Sequence, residues 1–598
     1  MNHSVSIWHT LWHLIRYSQR LYWVDTILWL FIGGLPAIPG IIIREFFNTL
    51  EAESAGLPSV WKWIALFMAI GLARIVAIFT GRITKTQHRF IMSSLIQHNL
   101  LRGLMELPGA EPLIDKNKED TVSPGALISF FRDDAKQIED NVVFTNEIFG
   151  QAVFAVGSLI LMLTVNARLT LLVFLPLAFI VIVIENTSTR LRRYRRASRQ
   201  ATQEVTSVVG EIFSSVKAIK VSQTEEDMIT RLRQACDRRL RLMLRDRILT
   251  AVLESSFENI VSIGTGVVLL FTAWIIQSSS ESFAVGDLTL FIYYLSYITT
   301  FLTFGGQFLT QTKQSKVSLK RMADVINTEA SNITAHHPLY LKPILGRHPE
   351  LPQIFSNSRS KSDPLQDLSA HNLTYYYPGT DRGITDVSLQ LRRGSFTVIT
   401  GQVGSGKTTL LRVLMGLLPR QSGEIYWNGQ KVEHPDRFFI PPRSAYTPQV
   451  PRLFSNTLLE NILLGLEKDP EELERAIALA VFEEDLAAMP NGLNTPVGVE
   501  GMRLSGGQLQ RAATARMLIR QPELLVFDDL SSALDVETEQ KLWSGLFSID
   551  SNAPTWTPTY LVVSHRRTVL EQSDRIILLD RGRVEMTGTF DYLPPAYR

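Results

Sequence analysis

Two short stretches bring together residues that could do phosphate chemistry. GQVGSGKT, residues 401–408, matches the pattern G-x-x-x-x-G-K-[ST] at every fixed position. Gly401, Gly404 and Gly406 let backbone N–H groups turn inward around an anion, and a helix beginning near Lys407 adds its positive end. The pattern predicts that Lys407 reaches the β and γ phosphates of ATP and that the Thr408 hydroxyl ligates Mg²⁺, with Gln402, Val403, Ser405 and Thr409 completing the cradle. Further on, LLVFD at 524–528 runs four apolar residues into a carboxylate. Sites in parallel sheets gather at the carboxyl ends of strands, so Asp528 is expected near the magnesium and its water shell. An aspartate at such a place is often only a helix cap, and it is the phosphate loop that favours the metal role. Asp529 follows directly, where an ATPase is expected to carry its catalytic base.

These residues need a scaffold, and the pattern around them supplies one. GSFTVIT at 394–400 alternates like a strand, and LLRVLMGLL continues the loop as a helix. At 598 residues the chain is too long for one ordinary core. Its last part has a soluble protein's mixture of charge, glycine and alternating apolar residues. The earlier part instead holds long apolar runs, at about 21–43, 60–80, 145–165, 169–185, 255–276 and 287–309. A bilayer core takes roughly 20 helical residues, so these predict six spans. The third and fourth nearly merge around Asn166. Residues 5–19 are expected to form an amphipathic helix at the membrane surface. A signal peptide is not expected, because the opening residues carry Trp, His, Tyr and Arg rather than a short basic head and a cleavage site.

The gaps after spans one, three and five are short, whereas those after spans two and four are long and polar with helical spacing. Each long gap fits a hairpin of helices carrying the spans well beyond the bilayer. Residues 186–250 hold a large excess of Arg and Lys over Asp and Glu, including RLRRYRRASR, and Arg82, Lys85 and Arg89 follow span two. Basic flanks favour the cytoplasm, so the hairpins and both termini are expected there. The net charge of +2 hides this asymmetry. The arginine cluster is accounted for by topology, and no nucleic-acid partner is expected. The lone Cys236 has no internal disulfide partner, and its arginine neighbours leave either a lowered pKa or an inert thiol open, the second being favoured. His336 and His337 lie in a stretch without periodicity, 327–366, read as a linker, and carry little metal-site specificity. The resulting expectation is a multi-domain chain: a six-helix transmembrane domain with long cytoplasmic helical extensions at 1–326, the linker, and an α/β P-loop cassette at 367–598.

The whole arrangement resembles the ATP-binding-cassette exporter family. LSGGQLQRAATARMLIRQPELLVFDD contains LSGGQ at 504–508, which looks like the family signature, with Ser505, Gly506, Gly507 and Gln508 forming a second anion nest. By the same resemblance Tyr377 in TYYYPG stacks on adenine, although a tyrosine there could equally be strand core. Gln449 in AYTPQVPRLF senses Mg²⁺ and contacts the membrane domain. Ser531, Ser532, Ala533, Leu534 and Asp535 form the loop crossing the dimer interface, and His565 in VVSH is the switch histidine. The resemblance implies an obligate dimer in which each signature closes over the partner's ATP. It also implies short coupling segments at the hairpin turns, near 109–125 and 205–215.

The fused order and long hairpins are similar to exporters, so ATP-driven export by alternating access across a bacterial inner membrane is implied, with membrane lipid around the spans. The cargo stays open among lipophilic small molecules, lipids and peptides. Arg74 in span two, with Glu254 and Glu258 near the start of span five, is costly against lipid and predicts either cargo contact or charge pairing between helices. An ATP-gated channel or a regulatory cassette protein is the alternative. The chain departs from the exporter pattern at Asp529, where that pattern has glutamate. One methylene shorter, this carboxylate implies slow hydrolysis at its own site. The dimer is then either a homodimer or a heterodimer with a half-transporter carrying the glutamate.

Overall fold

A computed structural model describes residues 7–51, 57–115, 120–122, 124–278, 284–342, 349–351, 364–498, 501, 503–530, 534–548 and 556–597. The chain separates into two compact units, one of residues 1–101 with 115–350 and one of 102–114 with 351–598.

The first unit is helical. Helix α1 (Ile7–Tyr17) buries Leu11, Leu14 and Ile15 on one face and leaves Trp8 and Trp12 exposed, as expected of an amphipathic helix. The first apolar run is broken: α2 (Gln19–Gly34) stops before Pro36, which has no N–H to continue a helix, and α3 (Ala37–Glu51) resumes beyond it. Helix α4 (Leu57–Glu106) has 50 residues, about 75 Å at 1.5 Å each. The short strands β1 (Ile114–Asp115) and β2 (Asp120–Thr121) and helix α5 (Pro124–Ser129) lead to α6 (Ala135–Val165). Asn166 then takes an extended backbone and its side chain accepts from Leu169 N, capping α7 (Ala167–Ser214) and making the tight join foreseen between spans three and four.

Helix α7 passes straight through 205–214, so the second hairpin turns later than the sequence suggested. The turn comprises the short helix α8 (Val216–Ser222), about two turns long, and Gln223, whose φ is 53°, before α9 (Glu225–Ser278) begins with Glu225, Glu226 and Asp227. No proline or glycine pair interrupts 205–214, whereas three acids suit the positive end of a new helix. Helix α10 (Val285–Val325) and the single turn α11 (Ala330–Ile333) complete the unit. The segment that follows is strapped to α1: His13 Nδ1 bonds the Thr334 carbonyl at 2.9 Å, and the Tyr17 hydroxyl donates to that of His337 at 2.5 Å.

Helices α2 and α6 approach closely at two glycines. A Cβ on Gly150 would lie 2.4 Å from the Trp29 carbonyl oxygen, and one on Gly33 would lie 2.7 Å from the Gly150 carbonyl carbon. Small residues permit such backbone contact between helices. Beside it lies a buried polar network. Asn146 Nδ2 donates to Asp25 Oδ2 at 2.9 Å, Thr26 donates to Asn146 Oδ1 at 2.8 Å, and Thr84 donates to Asp25 Oδ1 at 3.4 Å. Lys85 pairs with Glu147 and Arg89 with Asp140 on the same helix pair, α4 and α6. Among the described residues three helices are long and apolar enough to cross a membrane.

The second unit is α/β. Strands β3 (Asp367–Tyr376), β4 (Gly383–Arg392), β6 (Ser422–Trp427) and β7 (Gln430–Lys431) form an antiparallel sheet in the order β4-β3-β6-β7. The other sheet runs β12-β11-β5-β10-β9-β8, from β5 (Phe396–Thr400), β8 (Ser444–Thr447), β9 (Leu524–Asp528), β10 (Thr559–Val563), β11 (Arg575–Asp580) and β12 (Arg583–Gly588). It is parallel except at β12. Strands β5, β9 and β10 are buried at every residue, the near-continuous apolar run expected of a sheet covered on both faces.

Helix α12 (Lys407–Leu414) packs between the sheets, and α13 (Pro435–Phe438), α14 (Leu458–Leu463), α15 (Pro470–Leu479), α16 (Glu483–Ala488), α17 (Gly506–Leu518), α18 (Val536–Phe547) and α19 (Arg567–Glu571) surround them. Residues 102–114 belong to this unit, held where Ala110 N donates to the Leu417 carbonyl at 2.9 Å. That is the start of the first hairpin turn, 109–125.

Candidate active site

Strand order explains why distant motifs meet. Strand β10 lies between β5 and β9, with Val563 opposite Ile399 on one side and Asp528 on the other. The phosphate loop leaves the end of β5, Asp528 closes β9, and Ser564 and His565 leave β10 between them. The carboxyl ends of the three strands therefore form one site.

The loop's conformation demands its glycines. Gly401 has φ +142°, and a Cβ there would lie 2.1 Å from the Leu579 carbonyl oxygen; Gly406 has φ +101° and opens α12. Lys407 Nζ donates to the carbonyls of Gly401 and Gln402, each at 2.8 Å, so the side chain folds back over the loop. Burial pulls its ammonium below the usual lysine range, opposed by the charges of Asp529 and Asp528. Ser405 is buried with its hydroxyl unpartnered among the described residues, whereas Val403 stands fully exposed. Thr409 is buried, and its hydroxyl meets that of Tyr377 at 3.3 Å. Tyr377 is half-buried just beyond β3, edge-on to Tyr375.

Thr408 donates to Asp528 Oδ1 at 2.9 Å, and Tyr446 donates to Asp528 Oδ2 at 3.0 Å. Asp528 is 1% exposed. Burial pushes its carboxyl up, opposed first by these two hydrogen bonds and then by Arg412. A desolvated carboxylate next to a threonine hydroxyl at the foot of a phosphate loop is a hard-oxygen donor set, which fits Mg²⁺.

Asp529 has φ +53°, an uncommon conformation for a residue with a side chain. Its N–H is fixed by the Val563 carbonyl at 3.1 Å. The carboxylate is reached from both sides, by Gln449 Nε2 at 3.0 Å from Oδ2 and by His565 Nδ1 at 3.9 Å from Oδ1. So Lys407, Thr408, Gln449, Asp528, Asp529 and His565 come together.

The signature residues stand on a separate element. Ser505 caps α17: it accepts from Gln508 N while Gln508 Oε1 accepts from Ser505 N, a reciprocal capping box, and Gly506 and Gly507 form the first turn. Asp485 receives both Gln508 Nε2 and Arg511 Nε, at 3.2 and 2.6 Å. Asp535 caps α18 by accepting from Thr538 N at 2.9 Å, and Leu534 is buried; Ser531, Ser532 and Ala533 lie outside the described residues. In the helical unit Arg74 has a buried Nε without a hydrogen-bond partner among the described residues. Glu254 and Glu258 are on α9, with side chains outside the described part.

Two side chains at the site were missed from sequence. Tyr446 occupies an ordinary strand position whose only signal was its place three residues before Gln449. Gln510 is a polar residue on the buried face of α17, and that break in an apolar stripe was the available signal.

Comparison with known proteins agrees with this architecture. The ABC transporter transmembrane region matches residues 30–302 and the ABC transporter domain matches 384–532. An ATP-dependent lipid A-core flippase of Burkholderia orbicola is 26% identical over 578 residues, covering 94% of this chain and 88% of the relative. YheI of Bacillus subtilis, a probable multidrug resistance ABC transporter ATP-binding/permease protein by name, is 25% identical over 600 residues, covering 97% and 94%. A bacterial Atm1-family ABC exporter solved with ATP bound shares the fold, with TM-score 0.74, 20% identity and 95% of each chain covered. With a transmembrane region and an ATP-hydrolysing cassette matched on one polypeptide, the chain belongs to the ABC transporter family as a fused exporter.

Proposed function

We propose that the chain exports an amphipathic, lipophilic cargo from the inner leaflet side of a bacterial inner membrane, powered by ATP at the cassette. The observation that carries the reading is the pair of carboxylates at the end of β9: Asp528 is engaged by the P-loop Thr408, and Asp529 is engaged by Gln449. Magnesium, when bound, screens the phosphate charge, with Thr408, Gln449 and Asp528 as the residues to hold it and its waters. Lys407 exchanges the Gly401 and Gln402 carbonyls for the β and γ phosphates, which Gly401 to Thr409 enclose through backbone N–H groups. Tyr377 offers its ring to adenine. Asp529 takes the proton of the water that attacks the γ phosphorus, the bond to the β–γ bridging oxygen breaks, and ADP departs; His565 steadies the transferred phosphate.

The half-transporter fold of this family generally works as a dimer. Ser505 to Gln508 cover the partner's ATP, and the loop 531–535 crosses between cassettes. Asp529 is shorter than a glutamate by about 1.5 Å, and a misplacement of about 1 Å can cost on the order of 100-fold in rate. This favours a heterodimer in which this chain's signature completes a faster site on a glutamate-bearing partner, while its own site stays mostly occupied. The same boundaries, 1–326, 327–366 and 367–598, describe the functional parts. Arg74, Glu254 and Glu258 face cargo or a helix interface, with the cassette and both termini in the cytoplasm.

Inverted vesicles test the reading. Lipid or dye translocation should require ATP and vanish with Lys407→Ala; ATP-dependent current without net accumulation would instead favour the channel reading. For orientation, the hairpin tip is the place to label, since Ser198 is buried whereas Val221 is 86% exposed. In a Cys236→Ser background, Val221→Cys should resist an impermeant thiol reagent in intact cells, and labelling there would invert the topology.

A further inference from the structure

Between β8 and α14 the chain from Gln449 to Phe454 has neither helix nor strand. Its carbonyls are held by side chains instead. Gln510 Nε2 donates to the Gln449 carbonyl at 2.6 Å, Arg516 Nη1 donates to that of Arg452 at 3.2 Å, and Asn461 Nδ2 donates to that of Phe454 at 3.0 Å. Two of these anchors, Gln510 and Arg516, stand on α17. Gln510 is 1% exposed, and its Oε1 is buried without a hydrogen-bond partner among the described residues. A buried amide with one unmet acceptor is unfavourable on its own account, since leucine would fill the same face of α17 without that cost. The hydrogen bond its side chain makes among the described residues is the one to the Gln449 carbonyl.

We propose that Gln510 is a positioning residue for hydrolysis: it fixes the Gln449 backbone so that the Gln449 amide meets Asp529. The path has two hydrogen bonds, Gln510 Nε2 to the Gln449 carbonyl and Gln449 Nε2 to Asp529 Oδ2. The Asp529 backbone is fixed at φ +53°, and on the carboxylate Gln449 Nε2 donates at 3.0 Å to one oxygen while His565 Nδ1 stands 3.9 Å from the other, so the Gln449 amide takes part in orienting it. Helix α17 begins at the Ser505 capping box, and a helix moves as a rigid body. Resting on the dimer reading above, whatever settles on Ser505 to Gln508 therefore shifts Gln510 and with it this chain's own Asp529. The signature helix reports the partner's nucleotide to the catalytic carboxylate in cis.

The test is a mutant cycle on the full-length chain in lipid nanodiscs, combining Gln510→Met with Asp529→Asn and recording kcat, KM for ATP, affinity for a fluorescent ATP analogue and melting temperature. Gln510→Met should lower kcat about 10- to 100-fold while leaving analogue affinity within about twofold. In the Asp529→Asn background the same substitution should change the residual rate by less than about twofold, because residues acting through one another are not additive. Equal losses in both backgrounds, an unchanged kcat, or a loss of affinity as large as the loss of kcat would overturn the proposal. Where Gln510→Met does not fold, Gln510→Asn keeps the amide but withdraws it by one methylene, and the same outcomes apply. An Asp529→Asn single variant with undiminished rate would remove the catalytic role of Asp529 itself, and Gln510 as its positioner falls with it; an undiminished Gln510→Met beside an impaired Asp529→Asn removes only Gln510.

Discussion

In the cassette unit, Thr408 and Asp528 meet from two contiguous strings, GQVGSGKT and LLVFDD, each at the end of a strand. In the membrane unit, Asp25 meets Asn146 and Thr84 from three different helices, and nothing in the sequence around any of them announces the meeting. The difference is one of what holds the functional atoms. A phosphate loop works through its own backbone, so its residue types are dictated locally by φ angles and by the need for N–H groups. A network between helices works through side chains whose neighbours are set by packing, and any apolar helix could carry one polar residue for many reasons.

The largest expected effect lies in the cassette. Lys407→Ala removes the charge that replaces the carbonyl contacts when nucleotide arrives, and it should reduce vesicle ATP hydrolysis and cargo movement to background while the protein still inserts in the membrane. Hydrolysis at the unchanged rate would show that the two units cannot be contrasted in this way.

On the membrane side, Asn146→Leu removes the shorter of the two hydrogen bonds that the Asp25 carboxyl accepts among the described residues and keeps the long one from Thr84, and a buried polar partner left unmet costs about 2–4 kcal/mol. A drop in detergent melting temperature without change in nucleotide affinity is expected; no change in melting would mean that the network is incidental. Gly150→Ala places a methyl against the Trp29 carbonyl, which should cost about 1–3 kcal/mol and be read as earlier unfolding of the helical unit. The smallest effect is expected at a cap: Thr457 accepts from Glu460 N and opens α14 as a capping box, so Thr457→Ala should cost about 1 kcal/mol with ATP affinity intact.

Legibility followed the same division. The phosphate loop, the strand ending in Asp528 and the signature were readable because each is a short string with its own conformational logic. The first three span positions were readable from apolar length, and the cap at Asn166 fell where the third and fourth runs nearly merge. What escaped was anything requiring the third dimension. Pro36 broke the first span within a run that looked continuous, and α7 runs unbroken through 205–214, so the second hairpin turns only after it, at 215–224. Tyr446 and Gln510 joined the site through a strand face and a helix face that periodicity assigns only to the interior. The Gly33–Gly150 approach needed two helices more than a hundred residues apart to be brought together.

The most direct measurement is the ATPase rate of the purified chain alone, compared with Asp529→Glu and Asp529→Asn. The geometry around Gln449 and His565 predicts a low but measurable rate, a rise on restoring the methylene with Glu, and a fall of about 100-fold with Asn. A robust rate abolished by Asn would show that Asp529 serves well as a base without a glutamate-bearing partner. A rate that Asn leaves unchanged would contradict the claim that Asp529 takes the proton of the attacking water.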